Sequence, residues 1–129
     1  MNIYNHRVTY DEVDGQKIVF NSHYLKWCDH ATYEFFRKGG FPPYLLEEIG
    51  MDFVVRKATV EYNGPAFFDD ILTFIVSIEE IGNTSYEMKI RILNESDENV
   101  ADITIKHVNA HSGKATPIPD EIREYLHSF

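Results

Sequence analysis

Residues 22–38 read Ser22-His23-Tyr24-Leu25-Lys26-Trp27-Cys28-Asp29-His30-Ala31-Thr32-Tyr33-Glu34-Phe35-Phe36-Arg37-Lys38, and their spacing predicts one long amphipathic helix. Tyr24, Cys28, Ala31 and Phe35 recur at steps of four, three and four. That is the period that lines one helix face; Leu25, Thr32 and Phe36 widen the stripe. Asn21 or Ser22 can cap the start, Arg37 and Lys38 suit the negative end, and Gly39-Gly40 stops the helix. At 1.5 Å per residue the rod is about 25 Å long. Its aromatic stripe needs a sheet to cover it.

The flanking sequence supplies that sheet. Upstream, residues 3–10 alternate as a strand, with Tyr4, His6, Val8 and Tyr10 on one face, and an acidic turn at residues 11–15 follows. Downstream, residues 41–50 read as a Pro-started helical piece or a loop with one turn. The period then switches to two. Residues 52–62 form a strand with Ala58, Val60 and Tyr62 facing one way. Leu72, Phe74, Val76 and Ile78 make the inner face of the next, and Tyr86, Met88, Ile90 and Ile92 that of a third. Gly82-Asn83 between these two is a two-residue hairpin signal. A fourth strand spans residues 99–110 after a polar turn at 94–98, and residues 119–127 can close with a short helix. The expected fold is α+β, one dominant helix against a curved antiparallel sheet of about five strands. A cystatin-like cone is the competing architecture.

Composition bounds the function. At 129 residues the default is a single domain spanning 1–129, with a real core. The formal charge of −9 argues against a nucleic-acid or anionic-membrane partner. No stretch approaches the ~20 apolar residues of a membrane span. The N-terminus lacks the apolar core of a signal peptide, so a cytoplasmic protein is expected. The lone cysteine, Cys28, admits no intrachain disulfide and fits a reducing compartment.

The residues with chemical meaning gather ahead of the long helix. Tyr10-Asp11-Glu12-Val13-Asp14 is followed by Ile18-Val19-Phe20-Asn21-Ser22-His23-Tyr24, which sets Asp14 seven residues before Asn21. Unpaired N–H groups at a helix start suit a developing oxyanion. A carboxylate beside such a start has the parts for acyl hydrolysis. Arg56 and Lys57, in a strand beside Lys106, are cations that could meet phosphates. His107 and His111 are four apart, but a strand ending in a turn favours no metal there. Cys28 reads as core; Phe67 and Phe68 are candidates for lining an acyl pocket.

This stretch resembles the signature of hot-dog-fold acyl-CoA thioesterases of the 4-hydroxybenzoyl-CoA thioesterase type, including the Tol–Pal-associated branch. In that family a Tyr-x-x-x-Asp strand end leads to a Val-rich segment, an Asn or His, a Tyr and the central helix. Downstream agreement comes from Ala58-Thr59-Val60-Glu61-Tyr62-Asn63-Gly64-Pro65-Ala66, Asp69-Asp70-Ile71-Leu72 and Gly113-Lys114-Ala115-Thr116-Pro117-Ile118-Pro119. Together the motifs cover roughly residues 4–122. The resemblance implies a hot-dog fold and hydrolysis of an acyl-CoA to a free acid and CoA. It implies Asp14 as general base or nucleophile, the Asn21 backbone N–H as oxyanion donor, and Tyr24, Arg56 and Lys57 on the substrate side. It implies no metal or redox cofactor, coenzyme A being part of the substrate. It also implies a homodimer, often paired into a tetramer, with the active site between subunits. The strands around Tyr86 to Ile92 would leave the edge that a second copy covers.

One position departs from the pattern: Lys17 stands where the family usually has Gly, so a different loop path is expected. A free aspartate, with a pKa near ~3.9, is ionised but a feeble base at neutral pH. General-base activation of water and direct attack through a mixed anhydride both remain open. The rivals are a hot-dog dehydratase or hydratase, which relies on a His near the acid, and a non-catalytic acyl-binding module. No His follows Asp14 before His23.

Overall fold

The computed structural model describes residues 1–129. The elements in chain order are β1 (Asn2–Arg7), a 3-10 turn (Tyr10–Glu12), α1 (His23–Lys38), α2 (Pro43–Glu48) and β2 (Phe53–Tyr62). They continue with β3 (Ile71–Glu79), β4 (Ser85–Leu93), β5 (Asn99–His111), β6 (Lys114–Ala115) and α3 (Asp120–Ser128). The five long strands form one antiparallel sheet in the order β1-β3-β4-β5-β2, with the two-residue β6 paired to β5. The expected long helix against about five antiparallel strands is the architecture observed.

Period decides what is buried. Trp27, Cys28, Ala31, Phe35 and Phe36 of α1 meet Leu72, Phe74 and Val76 of β3, and Tyr86, Met88, Ile90 and Ile92 of β4, in one core. Ile103 and Ile105 of β5 complete it. Small Ala31 and Cys28 let the helix close on the sheet, and burial pushes the Cys28 thiol up and leaves it inert. Thr32 Oγ1 in the seam donates to the Cys28 carbonyl at 2.7 Å. At the far end α3 folds back so that Tyr125 donates to the Phe35 carbonyl at 2.6 Å. Its ring lies where a Cβ on Gly39 would stand, 2.5 Å away, so the residue that ends α1 is also the one that admits α3.

Several expectations are corrected. Leu25 is exposed and does not belong to the buried stripe. β1 ends at Arg7, and Tyr10 lies in the 3-10 turn, exposed. The β3–β4 connection spans residues 80–84 instead of a two-residue hairpin, with Glu80 at φ 47°. No side chain caps α1, so neither Asn21 nor Ser22 plays that part. β4 is innermost; the sheet edges are β1 and β2. That leaves β2 meeting α1 only at its ends, Phe53 against Phe36 and Tyr62 against Tyr24, and only Phe53 and Val60 in it are half-buried. Glu12 is no solvated member of an acidic turn but is 8% exposed. Its desolvation alone would raise the carboxyl pKa, yet hydrogen bonds from the Thr9 N–H, His6 and Trp27 outweigh it and hold the value at about 2.

His107 is fully buried between Phe53 and Tyr86, and neither ring nitrogen has a partner. His111, four residues on, instead meets the Gly50 carbonyl at 2.9 Å near the surface. Burial depresses the His107 pKa to about 4 from 6.5. The unfolded chain therefore binds a proton there that the fold resists. Stability is complete above pH 6.5 and is lost as pH falls towards 4, by about 3 kcal/mol on this group's account. Loss linked to Glu12 begins only below 4.5, where the unfolded carboxyl starts to protonate. Urea denaturation of wild type and His107→Phe at pH 7 and pH 4.5 checks this: the variant is expected to lose much less between the two. Equal losses would contradict it.

Candidate active site

Asp14 and Asn21 line the same groove, with Ile18, Val19, Tyr24, Tyr62 and Asn63 among its walls and a volume of about 520 Å³. The wall is built by backbone pairing. Val13 and Val19 form a bridge, the Asp14 N–H donates to the Ile18 carbonyl at 2.9 Å, and Phe20 N–H donates to the Glu12 carbonyl at 3.0 Å. The chain thus doubles back between the acid turn and the helix start. The seven-residue spacing becomes proximity.

The turn at the tip orients the acid. Lys17 N–H donates to the Asp14 carbonyl at 2.9 Å, and Gln16 N–H donates to Asp14 Oδ1 at 2.8 Å. One carboxylate oxygen is thereby committed and the other makes no hydrogen bond within the chain. Lys17 sits at φ 65°. A glycine would enter this left-handed region without cost, whereas the lysine carries strain there.

At the opposite wall the Asn21 N–H has no partner in the chain, and α1 begins without a side-chain cap. The Tyr62 hydroxyl donates to the Asn21 carbonyl at 3.3 Å and ties that peptide to the end of β2. Tyr24 is buried, with its ring 5.5 Å from Tyr62 and 5.3 Å from Trp27. Burial, with smaller help from Tyr62 and Asp70, pushes its hydroxyl up to about 12, so it stays neutral. The groove thus offers one carboxyl oxygen without a hydrogen bond in the chain, one N–H without a partner near a positive helix end, and an aromatic wall.

Arg56 and Lys57 do not join this groove. Both are exposed at a bulge in β2, with Lys57 opposite Lys106 as its spacing predicts. Arg56 is six residues from Tyr62, about 20 Å along an extended strand. Phe67 and Phe68 also lie outside it, exposed, with Phe68 against Tyr10. No group of three or more His, Cys, Asp or Glu side chains is placed to hold a metal ion. Sequence reasoning missed Tyr62 and Asn63 as groove residues. They stood in the quoted 58–66 motif, but only the fold brings the end of β2 against the start of α1.

Lys17 generates a direct test of the turn. Lys17→Gly is expected to hold or raise stability by up to about 1 kcal/mol, the relief of left-handed strain being partly offset by unfolded-chain entropy. Lys17→Val, β-branched, is expected to cost about 1–2 kcal/mol. Urea unfolding midpoints measure both. A valine variant as stable as wild type would mean that the turn does not need this backbone geometry.

The thioesterase superfamily model matches residues 16–101. The acyl-CoA thioester hydrolase YbgC of Escherichia coli is 31% identical over 118 residues, covering 90% of this chain and 88% of that protein. Among solved structures, a gentisyl-coenzyme A thioesterase superposes with a TM-score of 0.88 at 27% identity, covering 97% of this chain and 99% of its own. A variant of 4-hydroxybenzoyl-CoA thioesterase bound to 4-hydroxybenzoyl-CoA superposes at 0.87 with 21% identity, covering 95% and 96%, and carries the fold alone. The architecture is therefore the hot-dog fold, and the cystatin-like alternative is set aside. No helix is long and apolar enough to cross a membrane.

Proposed function

We propose that this chain, which belongs to the thioesterase superfamily, hydrolyses an acyl-CoA thioester to a free acid and CoA, using no metal or redox cofactor. The observation that carries the reading is the pairing, in one groove, of the half-bonded Asp14 carboxylate with the unpartnered Asn21 N–H. The substrate carbonyl oxygen accepts from the Asn21 N–H, where the positive end of α1 favours the negative charge of the tetrahedral stage. Asp14 acts on the opposite side of the carbonyl carbon. It either takes a proton from water as water attacks, or attacks itself and is freed by water from a mixed anhydride. In both routes the C–S bond breaks and the thiolate leaves; it takes up the proton Asp14 removed from water in the first, and a proton from solvent in the second, which the water that opens the anhydride returns. The dehydratase reading draws nothing from the groove, which no histidine lines.

Tyr24 supplies an apolar wall to the substrate beside the reacting carbon. Arg56 and Lys57, being far along β2, serve a groove only across a subunit boundary, where they meet the phosphates of coenzyme A bound by the neighbouring copy. The working unit in this reading is a homodimer, with dimers pairing into tetramers. Its support is the ten-residue edge strand β2, exposed on both faces with Val54 and Val55 uncovered. Buried Cys28 suits a reducing cytoplasm.

Two measurements test this. Asp14→Asn keeps the size of the side chain but can neither take a proton from water nor attack, so kcat for thiol release should fall by about 10²–10⁴ or more. Binding of a non-hydrolysable acyl-CoA thioether, read by calorimetry, should change little. Retention of more than about a tenth of wild-type kcat would refute the assigned role of Asp14. Light scattering should give a multiple of 15.0 kDa; the single-chain mass with activity intact would refute the shared site.

A further inference from the structure

The Glu12 carboxylate stands two residues before Asp14 and points the other way, into the protein. It accepts from three separate places in the chain. His6 Nε2 on β1 lies 2.8 and 3.1 Å from its two oxygens, the Thr9 N–H is at 2.7 Å, and Trp27 Nε1 on α1 is at 2.9 Å. His6 is further held by its ring against Trp27, centroids 4.5 Å apart, and by Tyr4, whose hydroxyl is 3.5 Å from Nδ1. The Glu12 carbonyl receives the Phe20 N–H, one residue before Asn21.

Glu12 therefore touches both walls of the groove without entering it. Through its side chain it fixes the acid turn to β1 and to the second turn of α1. Through its carbonyl it fixes the strand that runs into Asn21. Three donors around one buried carboxylate define its place in three dimensions, as no single hydrogen bond can. An anion in this place serves nothing if only filling is needed. A buried ion adds little net stability compared with an apolar replacement of its volume. What it supplies is a fixed geometry.

We propose that the His6–Glu12–Trp27 constellation is a positioning device that sets the separation of the Asp14 carboxylate from the Asn21 N–H. Glu12 is a positioning residue and takes no part in bond making. The proposal rests on the thioesterase reading for its kinetic consequence but not for its structural one. A displacement of about 1 Å at reacting groups lowers a rate by up to about 10²-fold while leaving most ground-state contacts in place. Loss of the constellation should therefore act on kcat.

The test uses Glu12→Gln and Trp27→Phe, which keeps an aromatic ring in the core while removing the Nε1–H donor together with part of the indole. Positioning predicts that kcat falls about 10–100-fold in Glu12→Gln and less in Trp27→Phe, with KM within about twofold of wild type in both. Amide hydrogen exchange gives a readout independent of activity. The Asp14 and Phe20 amides should exchange about tenfold or more faster, while β4 and β5 amides keep wild-type protection. A rise that is uniform across β4, β5 and the turn makes Glu12 a stability residue and overturns the proposal. So does unchanged exchange at Asp14 and Phe20. The functional reading fails separately: if wild type releases no thiol from acyl-CoA while the local exchange signature appears, the device stands and the assigned reaction falls.

Discussion

A buried carboxylate that receives hydrogen bonds from β1, from beside the 3-10 turn and from α1 fixes the relative position of three segments at one point. Glu12 is that group. Hydrophobic packing is non-directional and tolerates sliding of a helix along a sheet by a fraction of a turn. Charged hydrogen bonds of 2.7–2.9 Å do not. The chain around Glu12 also pairs with itself, through Val13 with Val19 and Asp14 with Ile18, so the fixed point extends to both walls of the groove.

The remainder of the site follows from where the sheet ends. Because β4 is innermost and β2 is an edge, the end of β2 is free to bend over the start of α1, and Tyr62 reaches the Asn21 carbonyl from there. The same edge position leaves Arg56 and Lys57 exposed and far from Asp14. One chain thus carries the groove of Asp14 and Asn21 at one end of β2 and the free cations nearer its middle. In the dimer proposed above, antiparallel pairing of two such edges would let one copy's cations serve the other's groove.

Much of this was legible in the sequence. The period of residues 22–38 and the alternation at 86–92 dictated a buried helix face and a strand with one buried face, and burial of Phe35, Met88 and Ile90 agrees. The Asp14-to-Asn21 spacing drew out two residues that the fold brings to one groove. Three things were not legible, each for a physical reason. Leu25 looked apolar by position, but the concave sheet does not reach that side of α1. Glu12 looked like one more solvated acid, because its partners His6, Thr9 and Trp27 come from other elements. Tyr62 belongs to the groove only through a strand crossing that no local pattern encodes. Lys17 shows the converse: propensity opposes its backbone, and the surrounding turn overrides it.

The central claim is that Asp14 and the Asn21 N–H converge on one thioester carbonyl. A crystal structure of the protein with a non-hydrolysable acyl-CoA thioether retaining a carbonyl oxygen tests it most directly. The account predicts that oxygen about 2.7–3.1 Å from the Asn21 nitrogen, with the Asp14 carboxylate facing the carbonyl carbon from the other side. An acyl group seated elsewhere, with the Asn21 N–H pointing to solvent, would contradict it.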